Sequence, residues 1–326
     1  SAKNREDIGR LVTSTGTRIM YSSEFGWTLR PSFQSGLCRA NSAGLRAQRE
    51  YSPRPAPGIL RVAAFGDSYV YGDDVSGTQT WEAFVSSADA GVEVLNYGVP
   101  AYGLDQALLR YRREGGRFQP RVVLIGFMLA GSHRNITTFR RFWSPDAGMP
   151  FAKPRFILKN GKLLLIPNPL PRLEDYKSML ETPAAWEPKL GAHDWFYRRR
   201  HGGGRDPGDH GPSLEPGSEG FEVLIRLLEA FYAEVRRDGR IPIVLLFPHR
   251  PALELVRAGK DSHELLLRAL YDRGLDFLDA GEALAASSVA ADDLFGPTGH
   301  LSAAGNRVVA QAVVEYLRAR GLRGGP

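Results

Sequence analysis

The chain has 326 residues, enough for one large domain or for a core with an insertion. Its apolar fraction of 43% is ordinary for a soluble globular protein, and its single cysteine, Cys38, excludes a disulfide scaffold. No apolar run is long enough to cross a bilayer, and no cysteine–histidine cluster has zinc-ligand spacing. We therefore predict neither a metal site nor a cofactor.

The net charge of +6 comes from arginines scattered along predicted helices and from the run Arg198-Arg199-Arg200. Such charges most simply form solvated helix faces. A second interpretation is attraction to an acidic partner, such as an anionic polysaccharide or a lipid surface. The chain contains no recognised nucleic-acid-binding module, so we do not expect a nucleic-acid partner.

Strands and helices alternate after an N-terminal arm, which covers residues 1–57 and ends in a proline-rich stretch. The apolar periods predict, in chain order, a strand at 59–65, a helix at 79–88, a strand at 92–97, a helix at 104–114 and a strand at 121–129. The last of these is a continuous apolar run, as expected for a strand buried on both faces.

The alternation breaks at residues 140–215, which are rich in proline, tryptophan, glycine and charge. Within them, Arg155 to Ile166 predicts a β-hairpin, because Asn160-Gly161 is the favoured pair for a type I′ turn. The segment is too long for a simple crossover between strands. We therefore predict an inserted subdomain that serves as a lid or a substrate wall.

The alternation resumes after the insertion and ends in a long helix. The predicted elements are a helix at 219–237, a strand at 241–247, a helix at 263–272, a strand at 275–278 and a helix at 302–320 with Ser302 as N-cap. This order favours a parallel sheet with helices on both faces. The predicted core is formed by 58–139 and 216–326, and 140–215 is inserted in it.

Two short motifs at the ends of predicted elements indicate serine chemistry. Gly66-Asp67-Ser68 follows the first core strand, at the sheet edge where open α/β sheets bind ligands. His300 comes just before the last helix. Serine becomes a good nucleophile when a base takes its proton, and His300 is the best candidate for that base. We predict Ser68 as nucleophile and His300 as base.

Acyl transfer also requires hydrogen-bond donors aimed at the developing oxyanion. The backbone N–H of Ser68 is one natural donor. The glycine-containing turn at 96–103 follows the second core strand to the same sheet edge, and Gly98 is our candidate for the second donor. The glycines of this turn are equally well explained by backbone geometry alone.

These motifs resemble the SGNH, or GDSL-type, hydrolase family. Gly66-Asp67-Ser68 is similar to its first block, Asn96-Tyr97-Gly98 to its second, and His300 with the following helix to its last. The resemblance covers about 59–135 and 220–320. It implies a flavodoxin-like, three-layer α/β/α fold with a central, mostly parallel five-stranded sheet.

The resemblance also implies a chemistry and a setting. Ser68 would be the nucleophile, His300 the base, and the amides of Ser68 and Gly98 would form the oxyanion hole. The usual activity of the family is hydrolysis of small acyl esters, often acetyl groups on sugars. The N-terminal arm resembles a bacterial branch that often lies beside envelope or exopolysaccharide genes.

The third block departs from the family pattern. It usually carries an asparagine that completes the oxyanion hole, and Ala130 or Gly131 takes that place here. Losing one such donor costs on the order of 100- to 1000-fold in rate. His133, Arg134 and Asn135 are the candidates for a substitute donor or a substrate contact.

The last block also departs from the pattern. The family usually places an aspartate three residues before the histidine, where this chain has Pro297. Asp293, or its neighbour Asp292, could orient His300 instead. A backbone carbonyl near Pro297 could also accept its Nδ1 proton, which would make a Ser-His dyad, or the site is impaired. We favour the dyad.

Three functions fit these observations. The first is a serine esterase that hydrolyses small acyl esters, chiefly acetyl esters, on a carbohydrate. The second is a sugar O-acetyltransferase with the same serine, and the third is a catalytically impaired glycan-binding or assembly protein. We favour the esterase, with an acylated small molecule or polysaccharide as its partner.

The abrupt start at Ser1 allows for an upstream signal or membrane anchor, and we expect an extracytoplasmic location, periplasmic or membrane-tethered, over a cytoplasmic one. The pattern makes no prediction of oligomeric state.

Overall fold

The computed structural model describes residues 6, 8–9, 16–145, 149–201, 214–260 and 263–322. Parts of the predicted arm and of the predicted insertion, including 146–148 and 202–213, lie outside the described residues, as does Ser1. In the predicted arm there are two short antiparallel strand pairs: β1 (Ile19–Ser22) with β2 (Gly26–Leu29), and β3 (Gln34–Ser35) with β4 (Cys38–Arg39).

The strands that follow are β5 (Leu60–Gly66), β6 (Val92–Gly98), β7 (Val122–Met128), β8 (Arg155–Lys159), β9 (Lys162–Ile166), β10 (Ile241–Phe247) and β11 (Phe277–Asp279). Strands β8 and β9 form the predicted hairpin, and both Asn160 and Gly161 have the positive φ that a type I′ turn requires (53° and 72°). The other five strands form one parallel sheet in the spatial order β6-β5-β7-β10-β11.

Counted along the chain, the sheet order is 2-1-3-4-5, which is the flavodoxin-like arrangement. The helices are α1 (Ser68–Tyr71), α2 (Trp81–Ala88), α3 (Leu104–Glu114), α4 (Leu173–Glu181), α5 (Pro183–Gly191), α6 (Trp195–His201), α7 (Glu219–Arg237), α8 (Arg250–Arg257), α9 (Glu264–Asp272), α10 (Ala280–Ala286), α11 (Ala291–Leu294) and α12 (Ala303–Ala319). Two 3₁₀ segments, Leu129–Ile136 and Arg140–Phe142, follow β7.

Helices cover both faces of the sheet. Along β5, Ala63 and Phe65 join one hydrophobic cluster, and Val62 and Ala64 join the other, as the two-residue period of a strand requires. Helices α3, α7 and α9 pack in the first cluster, and α2, α8, α10 and α12 pack in the second. The predicted three-layer α/β/α fold with a five-stranded parallel sheet is confirmed.

Most predicted elements are present, with ends that differ by one or two residues. The last strand is displaced: it was expected at 275–278 and lies at Phe277–Asp279. The N–H of Leu275 donates to Leu270 O and closes the preceding helix, so the strand begins later. Asp279 then ends the strand and caps α10, since its Oδ1 accepts from Gly281 N. Helices α1, α4–α6, α8, α10 and α11 have no counterpart among the predicted elements.

Residues of the predicted insertion pack together with the core. Phe151, Phe156 and Tyr176 are buried in the cluster that also contains Phe65 and Leu224. The division into arm, core and insertion, and the role of the insertion as a lid, stay predictions. None of the described helices combines the length and apolarity needed to cross a bilayer.

Candidate active site

Ser68 begins α1 at the carboxyl end of β5, beside the point where the strand order reverses between β5 and β7. Asp67 caps this helix: its Oδ1 accepts from Tyr69 N over 2.9 Å, and its Oδ2 accepts from Met128 N over 3.1 Å. The cap therefore joins the turn to the end of β7. Ser68 itself is only 4% exposed.

Three glycines in register hold α1 against the sheet. Gly66 of β5 pairs with Gly98 of β6 on one side and with Gly126 of β7 on the other. A Cβ on Gly98 would lie 2.2 Å from Tyr71 N, and one on Gly126 would lie 2.4 Å from Val70 Cγ2. Glycine is therefore required where the helix backbone approaches the strands most closely, and this contact sets the position of Ser68.

His300 lies on a tight loop that faces Ser68. The N–H of Gly296 donates to His300 O over 2.7 Å, and Gly299 has a φ of +84°, which favours glycine. Tyr69 donates its hydroxyl hydrogen to Gly299 O, and its ring lies 5.2 Å from the imidazole, measured between centroids. In this arrangement His300 Nε2 is 2.8 Å from Ser68 Oγ. The structure thus brings the predicted nucleophile and base together.

The hydroxyl of Thr298 is the hydrogen-bond partner of the other ring nitrogen of His300, Nδ1. Its Oγ1 lies 2.8 Å from Nδ1 and donates to Asp74 Oδ1 over 2.7 Å, while its N–H donates to Asp74 Oδ2 over 2.9 Å. Because a carboxylate only accepts hydrogen bonds, the threonine hydroxyl donates to Asp74 and accepts from Nδ1–H. This assigns the tautomer whose Nε2 lone pair can take the Ser68 proton.

The surrounding loops bring Asp74 to Thr298. Gly72 ends α1 in the left-handed conformation, and Asp74 has a φ of +71°, which is strained for a residue other than glycine. A Cβ on Gly296 would lie 2.7 Å from Asp74 Oδ2, so glycine permits this approach. We did not predict Asp74 or Thr298. The one sequence signal for Asp74 was its position three residues after α1, the helix that begins with Ser68.

The acid alternatives predicted from the sequence occupy other positions. The carboxylate of Asp292 pairs with Arg250, and the backbone carbonyl of Asp293 accepts from Ser302 Oγ, with the Asp293 side chain exposed. In the structure the partner of His300 Nδ1 is the Thr298 hydroxyl, neither Asp293 nor a backbone carbonyl near Pro297.

Gly98 is not available as the second oxyanion donor in this structure. Its N–H donates to the side-chain oxygen of Asn96 over 2.9 Å, and the Asn96 amide nitrogen donates to Val70 O. This glycine therefore serves the close packing of α1 on β6. The N–H of Ser68 belongs to the first residue of a helix, where no partner exists within the helix, so it remains a candidate donor.

Among the three candidates after β7, Arg134 contacts the turn that carries Ser68. Its Nη1 is 3.3 Å from Asp67 Oδ2 and also donates to Tyr102 O over 3.3 Å. Its guanidinium lies over Gly131, whose missing side chain leaves that space open: a Cβ there would lie 3.3 Å from Arg134 Cζ. The guanidinium of Arg134 thus lies on the segment where the SGNH family, which this chain resembles, usually carries its asparagine.

His133 and Asn135 have other contacts. Asn135 is buried, and its Oδ1 accepts from Leu104 N over 2.8 Å, which fixes the start of α3. His133 Nδ1 lies 2.9 Å from Ala130 O, and its ring packs edge-on against Trp143. In the described part of the chain, no three His, Cys, Asp or Glu side chains are grouped so as to hold a metal ion.

Comparisons with known proteins give likenesses of fold only. No family model matches the chain, and no curated protein matches it. Among solved structures, it is similar to a lipase/acylhydrolase from Enterococcus faecalis, with 13% identity, 80% of this chain and 97% of that chain covered, and a TM-score of 0.43. It is also similar to a member of the lipolytic protein G-D-S-L family from Veillonella parvula, with 14% identity, 79% of this chain and 98% of that chain covered, and a TM-score of 0.40.

A two-domain esterase active on acetylated mannans is also similar, with 8% identity, 84% of this chain and 52% of that chain covered, and a TM-score of 0.41. With identities and TM-scores this low, the likenesses do not establish a function. In its sheet order, and in the placement of Ser68 and His300 at the carboxyl edge of that sheet, the chain is similar to the SGNH, or GDSL-type, hydrolase family.

Proposed function

We propose that this protein is a serine ester hydrolase for small acyl esters. The observation that carries the proposal is the hydrogen-bonded series Ser68, His300, Thr298 and Asp74, whose polarity leaves His300 Nε2 free to accept the Ser68 proton. A nucleophile within hydrogen-bond distance of a base that a further group orients is the arrangement expected for covalent acyl transfer.

The reaction proceeds in two balanced stages. Ser68 Oγ forms a bond to the ester carbonyl carbon while its proton passes to His300 Nε2. The tetrahedral intermediate expels the alcohol, which takes that proton from His300 and leaves an acyl-serine. Water then gives a proton to His300 and attacks the acyl carbon, and Ser68 regains a proton as the carboxylic acid leaves.

Thr298 and Asp74 are positioning residues in this scheme. When His300 carries two protons, its Nδ1–H donates to Thr298 Oγ1, and the hydroxyl dipole is held in that direction by Asp74. A hydroxyl stabilises an imidazolium less than a direct carboxylate does, but the charge of Asp74 lies one hydrogen bond away.

The oxyanion requires donors besides the Ser68 amide. We assign part of this role to Arg134, whose guanidinium contacts the side chain of Asp67, the residue before the nucleophile. A positive charge there favours the developing negative charge in a site with little solvent. This assignment replaces Gly98, whose N–H is committed to Asn96.

The substrate we favour is an acylated carbohydrate, with acetyl as the acyl group. The resemblance of the site motifs to a family of small-acyl esterases supports this choice, and so does the basic surface. If a sugar hydroxyl rather than water resolved the acyl-serine, the same residues would act as an O-acetyltransferase. Adding acceptor sugars to an acetyl-ester assay separates these outcomes, because only a transferase forms a new acetylated product.

The test is covalent labelling by a fluorophosphonate probe, read by intact mass, with Ser68→Ala as control. We expect one probe per wild-type chain and none on Ser68→Ala, since only an activated serine reacts. Turnover of p-nitrophenyl acetate should be lost in Ser68→Ala and in His300→Ala. An unlabelled wild-type protein at high probe concentration would contradict the proposal and favour a glycan-binding role.

A further inference from the structure

The residue that orients His300 through Thr298 has a strained backbone. Asp74 has a φ of +71°, in the left-handed region that is unfavourable for a residue with a side chain. Such a conformation persists only where the surrounding structure fixes it. Thr298 contacts the carboxylate of Asp74 through its N–H and its hydroxyl, and both bonds require that the backbone at 73–75 stays in place. The side chains that hold this backbone therefore decide whether Asp74 reaches Thr298.

Arg18 of the predicted arm binds the residue before Asp74. Its Nη1 donates to Asp73 Oδ1 over 2.6 Å, and the Asp73 side chain is only 14% exposed. Its guanidinium carbon also lies 5.2 Å from the centre of the ring of Tyr71, the last residue of α1. The backbone of Arg18 is itself fixed beside β1, since the N–H of Arg30 donates to Arg18 O over 2.8 Å. The predicted arm thus holds one end of the strained segment.

Arg46, also of the predicted arm, binds the residue after Asp74. Its Nη2 donates to Val75 O over 2.6 Å, and the arginine is buried. Its guanidinium carbon lies 4.1 Å from the centre of the same Tyr71 ring. Its backbone N–H donates to Asn96 O over 3.1 Å, which attaches this part of the arm to β6 at the edge of the sheet. Asp74 therefore lies between two residues that arginines of the predicted arm bind.

The segment that the two arginines hold is also joined to the nucleophile. The N–H of Asp73 donates to Ser68 O over 3.2 Å, so a shift of Asp73 acts on Ser68 as well as on Asp74. Because both groups are ionised, the bond between Arg18 and Asp73 is stronger than one between neutral groups. Partial burial also reduces its screening by salt. This ion pair can therefore offset part of the strain at Asp74.

We propose that Arg18 is a positioning residue for the reaction at Ser68, and that Arg46 serves the same purpose from the other side. Together they keep the carboxylate of Asp74 against Thr298, which orients the candidate base. The predicted arm is then part of the machinery of catalysis, although neither arginine acts on the ester itself. This inference rests on the proposed function for the reaction that it assists, whereas the hold on Asp74 does not depend on catalysis.

The first test separates kcat from KM in the hydrolysis of p-nitrophenyl acetate. Arg18→Gln should lower kcat by about 3- to 10-fold, the effect of one charged hydrogen bond at a partly exposed position. KM should stay nearly unchanged, because the group that moves is Asp74 and not one that binds the ester. Arg18→Lys keeps the charge and should restore most of the loss. Arg39→Gln, at an exposed arginine of the same arm, is the matched control and should keep the wild-type kcat.

A double-mutant cycle shows whether Arg18 acts through Asp74. In the Asp74→Asn protein, Arg18→Gln should cause no further loss of kcat, since the carboxylate that it positions is already gone. Asp73→Asn removes the other half of the ion pair and should match Arg18→Gln, with no further loss when the two are combined. Wild-type kcat in both Arg18→Gln and Asp73→Asn, or a loss that adds in full to that of Asp74→Asn, would overturn the inference.

The second test follows the position of Asp74 without catalysis. The N–H of Thr298 donates to Asp74 Oδ2, so its hydrogen exchange reports whether the carboxylate is in place. Exchange there should be at least about threefold faster in Arg18→Gln and in Arg46→Met, with exchange in α12 unchanged. Unchanged exchange at Thr298 would overturn the inference. Faster exchange throughout α12 in these variants and in Asp73→Asn would overturn it as well, since the arginines would then stabilise the whole fold.

The two proposals fail separately. Fluorophosphonate labelling of the wild-type protein, with unchanged kcat and unchanged exchange in Arg18→Gln, would overturn this inference alone. Faster exchange at Thr298 in Arg18→Gln, in a protein whose wild type the probe does not label, would overturn the proposed function alone.

Discussion

At the scale of single residues, the candidate site depends on a hydroxyl placed between a histidine and a carboxylate. Thr298 accepts from His300 Nδ1–H and donates to Asp74. The carboxylate of Asp74 therefore orients the imidazole through the threonine hydroxyl, without contacting the ring. The loop that carries His300 has Pro297 in place of an aspartate, and the carboxylate comes from Asp74 on another loop. The strained backbone of Asp74 is the cost of supplying that charge from another loop.

We expect Thr298→Val to lower kcat for p-nitrophenyl acetate by about 10- to 100-fold with little change in KM, because a hydrogen bond to a charged transition state is removed while side-chain shape is kept. Asp74→Asn should act in the same direction. The readout is the kcat and KM of each variant, with the pH profile of kcat as the sign of altered His300 protonation.

The matched control for this pair is Asp293→Asn, which removes a charge from an exposed side chain nearby. Its kcat should stay close to that of the wild type. A collapse of activity in Asp293→Asn together with a normal Thr298→Val protein would make Asp293 the acid.

At the scale of elements, the position of Ser68 depends on how closely α1 approaches three strands. The glycines Gly66, Gly98 and Gly126 lie side by side in the sheet, and the backbone or side chains of α1 fill the space above them. Larger residues there would lift the helix and carry the nucleophile away from His300. Gly98 therefore contributes to this packing, and its N–H donates to Asn96 Oδ1.

Gly98→Ala should destabilise the protein by about 1–3 kcal/mol, the range for overpacking a well-packed interior, and should slow labelling of Ser68. Chemical denaturation and the rate of fluorophosphonate labelling measure the two effects. Gly91→Ala is the control, since its Cβ would meet only the side chain of Asp89, at 3.3 Å. Wild-type stability and labelling in Gly98→Ala would show that α1 does not depend on this contact.

At the scale of the whole molecule, residues of the predicted arm, core and insertion share one interior. Trp27 of the arm, Phe151 and Tyr176 of the predicted insertion, and Ile125 of the sheet lie in the same hydrophobic cluster. The interior also contains the carboxyl group of Glu82, whose ionised form is unfavourable there. Glu82 is 2% exposed, and burial raises its pKa to about 8.

This burial predicts a pH dependence of stability. An unfolded glutamate loses its proton near pH 4.3, whereas the folded one keeps its proton until about pH 8. Below the lower value both states are protonated and the group has no effect, and between the two values the unfolded state alone gains from ionisation. The free energy of unfolding should therefore fall as pH rises through this window.

Glu82→Gln removes this titration while keeping the size of the side chain. We expect it to raise the free energy of unfolding at pH 7.5 by up to about 4 kcal/mol, with a smaller change at pH 4.3. Urea denaturation at the two pH values measures both. An equal change at both would mean that the glutamate contributes by packing or hydrogen bonding and not by its proton.

The sequence by itself determined the elements and the two ends of the site. Apolar periods are local, and burial on both faces of a sheet leaves a clear signal, so the runs at β5, β7 and β10 predicted the parallel sheet and the helices around it. The carboxyl ends of parallel strands meet at one edge, and this predicted that Ser68 and His300 would lie together, which the structure shows at 2.8 Å.

The tertiary structure alone decided the partners of those residues. Asp74 and Thr298 are separated by 224 positions and meet through loops that have no period, so no local pattern links them. The commitment of the Gly98 N–H to Asn96 and the bond of Arg18 to Asp73 depend on which side chain reaches each atom. Hydrogen bonds are short-range and directional, and only the positions of atoms in space decide which of them form.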